Sequence, residues 1–242
     1  MLSIIIPAFN EEQRLPECLE KTINFVSEQK YASEIIVVCD GCTDGTLSIC
    51  TAFQNIYKNL KIINYSPNRG KGFAVKRGMI EATGSTRLFM DADCAVPVET
   101  VKNFLKQIDE GYDIVIGARG LKDTKIIAHQ KVLRETAGRI FGKFQKFVLG
   151  IPFYDTQCGF KLFTRKSADF LFPKLNYNCS YFDAELIYLA YINDLKIKEM
   201  PVVWKHDGMT RMPIGPSRTI DLFKKLFKLK QLHKILPGNK NG

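Results

Sequence analysis

Two carboxylates stand one residue apart in Asp91-Ala92-Asp93, directly after the apolar run Leu88-Phe89-Met90. Neither can be buried at the end of such a run without a cation or strong donors beside it. Hard oxygen ligands of this kind suit Mg²⁺ or Mn²⁺, which share their coordination with substrate phosphates. Asp91 and Asp93 are therefore candidate metal ligands, although the three residues alone also read as a solvated turn. Asn68-Arg69-Gly70-Lys71-Gly72 strengthens the first reading. Its glycines allow close backbone approach, and a helix starting near Gly70, with Lys71 at its head, favours an anion. The other reading is a glycine-permitted turn with a surface lysine. The spacing does not fit a Walker A loop, and no G-x-G-x-x-G follows Ile6.

Two further loops carry polar groups. Asp40 precedes Gly41 after an apolar run, where it could accept hydrogen bonds from a base or ribose, or cap a helix starting near Asp44. Asn10-Glu11-Glu12 could serve the same site or cap the first helix.

These residues need elements to position them. The spacing predicts strands at Leu2–Ile6, Glu34–Cys39, Leu60–Tyr65, Arg87–Met90 and Asp113–Ile116. Helices are predicted near Glu11–Ser27, Asp44–Gln54, Gly70–Glu81 and Val98–Asp109. Such alternation implies βαβ units and a mainly parallel sheet covered on both faces. The three polar loops then leave the C-terminal ends of strands, the edge where open α/β sheets bind ligands. Beyond residue 120, Leu121–Leu149 reads as helical, Phe160–Phe163 as a short apolar segment, Asp183–Ile192 as a helix and Lys196–Trp204 as a final strand. Residues 1–210 are taken as one α/β domain and 211–242 as a basic amphipathic tail.

The 242 residues can bury one substantial core. No run approaches the roughly 18–20 apolar residues of a membrane span, and Met1–Pro7 reads as a buried strand rather than a signal peptide. Seven scattered cysteines argue against a disulfide framework and fit a reducing cytoplasm. Cys39-Asp40-Gly41-Cys42 has the C-x-x-C spacing but no second ligand pair for zinc; small buried residues at a strand end are the better reading. The net charge of +10 suits nucleic acid, an anionic membrane or phosphorylated substrates. From Arg218 to Lys240 there are seven Lys or Arg against one acid, Asp221.

Taken in order, the motifs resemble a known family. Ser3-Ile4-Ile5-Ile6-Pro7-Ala8-Phe9-Asn10-Glu11-Glu12 is similar to the opening of family 2 inverting glycosyltransferases of the GT-A fold. Val37–Thr46 resembles their V-D-D-G-S-x-D-G-T segment, with Cys39 in place of the first Asp and Cys42 in place of Ser. Asn68–Gly72 and Asp91–Asp93 follow in the expected order. Asp155–Phe163, Phe182-Asp183-Ala184-Glu185 and Glu199–Trp204 are similar to segments of dolichyl-phosphate β-glucosyltransferases. The resemblance implies a Rossmann-like, mainly parallel sheet flanked by helices. It implies a nucleotide-sugar donor held by Pro7, Ala8, Asn10, Glu11, Asp40, Lys71, Gly72, Asp91 and Ala92. UDP-glucose is the implied donor, and Ala95, where mannosyl relatives carry Gln, argues against GDP-mannose. The implied acceptor is a polyprenyl phosphate; a UDP-N-acetylhexosamine donor and a saccharide acceptor are the enzymatic alternatives.

The implied reaction is a single displacement at the anomeric carbon. A phosphate acceptor is largely dianionic at neutral pH and asks for arginines more than for a base. Arg119 and Arg134 are the candidates, with membrane attraction the other reading of Arg134. Asp155 occupies the family's base position, for positioning or proton acceptance. The run Thr219–Lys230 is helical and amphipathic, with Ile220, Phe223, Phe227, Lys230 and Lys234 near one edge and Leu222, Leu226 and Leu229 beside it. It could lie on an anionic membrane at its cytoplasmic face, or pack on the domain with its lysines solvated; Leu133–Leu149 could be a second interfacial element. A nucleic-acid-binding module would leave the acidic rim without purpose, and an inactive nucleotide-sugar sensor would keep the fold without turnover.

Overall fold

A computed structural model describes residues 1–128, 142–205 and 216–233. Its centre is a seven-stranded sheet. Leu2–Ala8 (β1), Ser33–Asp40 (β2), Leu60–Tyr65 (β3) and Thr86–Met90 (β4) form one parallel half in the order β3-β2-β1-β4. Helices Leu15–Ser27 (α1), Thr46–Ile56 (α2) and Lys71–Glu81 (α3) connect them, as the alternating pattern requires. After a 3₁₀ turn, Val101–Asp109 (α4) leads into Ile114–Ala118 (β5).

The apolar runs are continuous because both faces of the sheet are covered. Ile4, Ile6, Val37, Leu88 and Met90 face a core with α1 and α4. Ile5, Ile36, Val38 and Phe89 face the opposite core with α3. Every residue of β2 is buried.

Three expectations beyond residue 120 are corrected. Phe160–Thr164 (β7) is a full strand, inserted antiparallel between β4 and β5. Met90 lies opposite Phe160, so the segment leading into β7 arrives at the same rim as the loops leaving β1, β2 and β4. Lys125–Ala128 (β6) is a strand where a helix was expected; Lys125, Ile126 and Ala128 pair with Val203–Lys205 (β9) in a parallel ladder that bulges at Ile127. The predicted final strand is two: Ile197–Pro201 (β8) completes the main sheet beside β5, and β9 belongs to the small second sheet. Residues 142–149 (α5) are helical, followed by Arg165–Leu171 (α6), Phe182–Ile192 (α7) and Pro216–Leu232 (α8). Leu226 and Leu229 of α8 are buried in the same core as Leu186, Leu189 and Val148.

Candidate active site

The rim at the C-terminal ends of β1, β2, β4 and β5 gathers most of the expected residues. Asp91 and Asp93 follow β4. Lys71, the first residue of α3, places Nζ 2.7 Å from Asp91 Oδ1, with both side chains about one-third exposed at 32%. Asp93 Oδ1 accepts the Ala95 N–H at 3.0 Å. Burial, and then the neighbouring Asp91 charge, push the Asp93 carboxyl above the usual carboxylate range. A carboxylate pair whose mutual repulsion is only partly relieved by the charges of Arg14 and Lys71 is chemically fitted to a hard divalent cation. Among the described residues no third His, Cys, Asp or Glu joins them. Ala92 is buried between the two.

Beneath this loop lie two groups that sequence reasoning did not single out. Lys161 of β7 is fully buried and donates to the Cys158 carbonyl and to Asp183 of α7. Burial raises the Asp183 carboxyl, against the lowering charges of Lys161 and Lys71. The Phe89 ring lies 5.2 Å from Lys71 Nζ and 5.5 Å from Lys161 Nζ. A lysine amid the apolar run Phe160–Phe163 was the available signal, since a charge buried in a strand needs a partner. Gly159 is the second omission. Its carbonyl accepts the Asp91 N–H at 3.0 Å, and a Cβ there would stand 2.0 Å from Asp91 Oδ2.

Asp40, Gly72 and the Asn10-Glu11-Glu12 loop all have partners within the protein. Asp40 is only 2% exposed. Its Oδ1 accepts from Arg69 N–H at 2.7 Å and its Oδ2 from Gly70 N–H at 2.8 Å. The carboxylate clamps the β3–α3 loop, which folds back onto the end of β2. The N–H groups of Gly72 and Phe73 donate to the Asn178 carbonyl at 2.7 and 3.3 Å. The glycines therefore admit the close approach of the 177–178 segment at the helix head.

Neither Asn10 nor its acidic neighbours cap a helix; α1 starts at Leu15 without a side-chain cap. Asn10 Oδ1 accepts the Thr43 N–H at 2.8 Å, and the Glu11 N–H donates to Thr46 Oγ1 at 2.7 Å. Glu12 Oε2 accepts the Gly45 N–H at 2.8 Å. Glu11 also receives two Arg14 donors at 2.6 Å. These contacts brace the β1 loop against the β2 loop. Pro7 and Ala8 end β1 beside them, the Ala8 carbonyl facing the Cys42 thiol at 3.4 Å. All seven cysteines are free.

On the other side of Asp91, Arg119 follows β5 and grips Asp155 through both carboxylate oxygens. Nε meets Oδ2 at 2.7 Å, Nη2 meets Oδ1 at 3.0 Å, and the Arg119 backbone N–H adds a third bond at 3.0 Å. Burial alone would raise the Asp155 carboxyl; the Arg119 charge and donors overcome it and hold the group at about 2. A carboxylate that acidic is a poor proton acceptor at neutral pH. Of the two roles expected for Asp155, the geometry favours positioning. Glu199 of β8 accepts the Tyr154 and Asp155 N–H groups at 2.8 and 3.0 Å, fixing the segment. The Arg119 guanidinium lies 5.6 Å from the Trp204 ring. Arg134 falls outside the described residues.

Comparison with known proteins identifies the family and the fold. Residues 3–172 match the model for "Glycosyl transferase family 2". A dolichyl-phosphate beta-glucosyltransferase of Dictyostelium discoideum is 36% identical over 231 residues, covering 89% of this chain and 70% of that protein. One from Drosophila melanogaster is 38% identical over 230 residues, covering 88% and 69%. Among solved structures, glucosyl-3-phosphoglycerate synthase from Mycobacterium tuberculosis, in complex with Mn²⁺, UDP-glucose and phosphoglyceric acid, superposes with a TM-score of 0.64. It shares 16% identity over 100% of this chain and 82% of its own, a likeness of fold.

Proposed function

The chain belongs to glycosyl transferase family 2 and is a glycosyltransferase, and on that premise we propose that it moves glucose from UDP-glucose to a polyprenyl (dolichyl-type) phosphate with inversion. The relatives' names support the sugar and the acceptor class. The observation that carries the reading is Arg119 paired with an Asp155 held ionised down to about 2. That side of the rim presents a cation rather than a base. A phosphate monoester, largely dianionic at neutral pH, is the nucleophile that needs this arrangement.

In this mechanism Asp91 and Asp93 would hold Mg²⁺ or Mn²⁺ on the donor side of the rim. The ion, when bound, offsets the negative charge that grows on the departing nucleotide. Lys71 keeps Asp91 oriented and adds a positive charge on the same side. Arg119, its Nε and Nη2 spent on Asp155, offers its remaining donors to the acceptor phosphate. Two anions are thereby held in one site, and their alignment supplies much of the rate.

A matrix of UDP-glucose, GDP-mannose and UDP-N-acetylglucosamine against polyprenyl phosphate and a saccharide acceptor tests the assignment. Turnover is expected with UDP-glucose and polyprenyl phosphate, giving a β-linked product. GDP-mannose turnover, or transfer to the saccharide alone, would overturn it. Gly159→Ala supplies a structural check. The added Cβ must displace the Asp91 carboxylate, and misplacement by about 1 Å can cost about 10²-fold in rate. A loss of that order is expected in UDP release, with the thermal unfolding midpoint nearly unchanged.

The acceptor is a lipid, so the surface matters. No helix among the described residues is long and apolar enough to cross a membrane. The amphipathic arc of α8 divides in two: Leu226 and Leu229 pack inward, whereas Phe227 is 58% exposed and Phe147 of α5 is 83% exposed. The Phe144 ring joins the two helices, 4.5 Å from Phe223 and 6.3 Å from Phe227. Exposed Lys143, Lys224 and Lys228 share these helices. Phe147 and Phe227 are thus the proposed insertion points at the cytoplasmic face of an anionic membrane, each nearby lysine adding about 1 kcal/mol. The double change Phe147→Ser and Phe227→Ser should weaken co-sedimentation with phosphatidylserine vesicles about tenfold or more. Undiminished binding would remove this surface.

A further inference from the structure

Glu185 belongs to a motif that the chemistry above leaves unused. It lies on α7, fully buried. Its Oε1 accepts the Asn176 backbone N–H at 2.9 Å and the Asn176 side-chain amide at 3.0 Å, and lies 2.7 Å from His233 Nε2. Its Oε2 accepts the Tyr177 N–H at 2.8 Å. His233 stands just beyond the last turn of α8. The same loop meets α8 a second time, where the Tyr177 hydroxyl donates to the Lys225 carbonyl at 2.8 Å. One buried carboxylate thus gathers the 176–177 segment and the end of α8. Such a carboxylate is retained only where donors satisfy it.

The far side of this loop is locked to the donor site. The Asn178 carbonyl receives the Gly72 and Phe73 N–H groups at the head of α3. There is no slack between the two: a Cβ at Gly70 would lie 2.5 Å from the Asn178 oxygen, and one at Gly72 would lie 2.5 Å from the Tyr177 oxygen. Gly70 has a φ of +98°, which a side chain would also resist. Between these glycines stands Lys71, 2.7 Å from Asp91. A displacement of α8 therefore reaches Lys71 through one loop and two sets of hydrogen bonds.

We propose that Glu185 and His233 are positioning residues: through the 176–178 loop they tie the seating of α8 to the placement of Lys71 and Asp91. The inference rests on the reading of Lys71 and Asp91 as donor-binding groups. It makes α8 part of the donor site's scaffold, so that seating the helix on its proposed lipid surface and ordering the donor site are one event.

Amide hydrogen exchange on the full chain tests the coupling without turnover. His233→Ala should speed exchange at Gly72 and Phe73 by about tenfold, with β1 and β2 amides unchanged. It should also raise the KM for UDP-glucose about fivefold to tenfold while kcat moves less than about twofold. His233→Gln, whose amide can still donate to Glu185, should restore both. Tyr177→Phe, which removes the hydroxyl contact with α8, should shift exchange at the same two amides in the same direction. Unchanged exchange at Gly72 and Phe73 in both His233→Ala and Tyr177→Phe would overturn the proposal, and so would acceleration spread evenly over the sheet. A wild-type chain inactive with UDP-glucose would instead defeat the functional reading, leaving the exchange result to decide the coupling.

Discussion

Asp93→Asn is expected to abolish metal-dependent transfer, lowering UDP release from UDP-glucose by about 10³-fold or more, while the fold survives. The amide keeps the size of the carboxylate and an oxygen for the Ala95 N–H. What it removes is one of two charges facing the cation. The variant should also be more stable than the wild type when no metal is present. Burial and Asp91 raise the Asp93 carboxyl in the folded state, so its ionised form opposes folding at every pH above that raised value. Mn²⁺ should raise the unfolding midpoint of the wild type and leave that of the variant nearly still. Thermal unfolding with and without Mn²⁺, beside UDP release, separates the two effects. Full turnover by the variant would sink the metal-site assignment.

The carboxylate loop after β4 was legible because its chemistry is local. Two carboxylates at the end of a buried run pose a problem that only a cation or donors solve, and the run itself marks the strand end. The parallel half of the sheet was legible for a similar reason, its β-branched runs and helices alternating at regular spacing. The partners of Asp40 are not legible in the sequence, because they come from residues 69 and 70, brought back by a loop whose path no periodicity records. The same applies to Gly72, whose neighbour Asn178 lies more than a hundred residues away. Strand β6 was lost inside an expected helix because four residues carry too little period to outweigh the helical pattern that follows. Strand β7 was read as a mere apolar segment. Its antiparallel insertion is what delivers Gly159 and Asp155 to the rim, and Lys161 was the trace it left in the sequence.

Arg119 and Asp155 supply the second large effect. Arg119→Ala should lower kcat/KM for polyprenyl phosphate by about 10²- to 10³-fold, since a charge-assisted bidentate phosphate contact is lost and Asp155 is left without its partner. Asp155→Asn should do less: Arg119 keeps its charge but loses its clamp, so the acceptor KM rises about tenfold and measurable kcat remains. A general base would behave differently, its removal taking kcat nearly to zero with acceptor KM little changed. The pH profiles discriminate further. The folded Asp155 carboxyl is depressed to about 2, so the stability it contributes is complete above its unfolded value and is lost progressively as pH falls from there through about 2. Between pH 5 and 8 it does not change charge. The acid limb of activity should therefore follow the acceptor phosphate, with a second pKa of about 6, and should persist unchanged in Asp155→Asn. An acid limb that vanishes in this variant would return Asp155 to the role of base and remove the argument for a phosphate nucleophile with it.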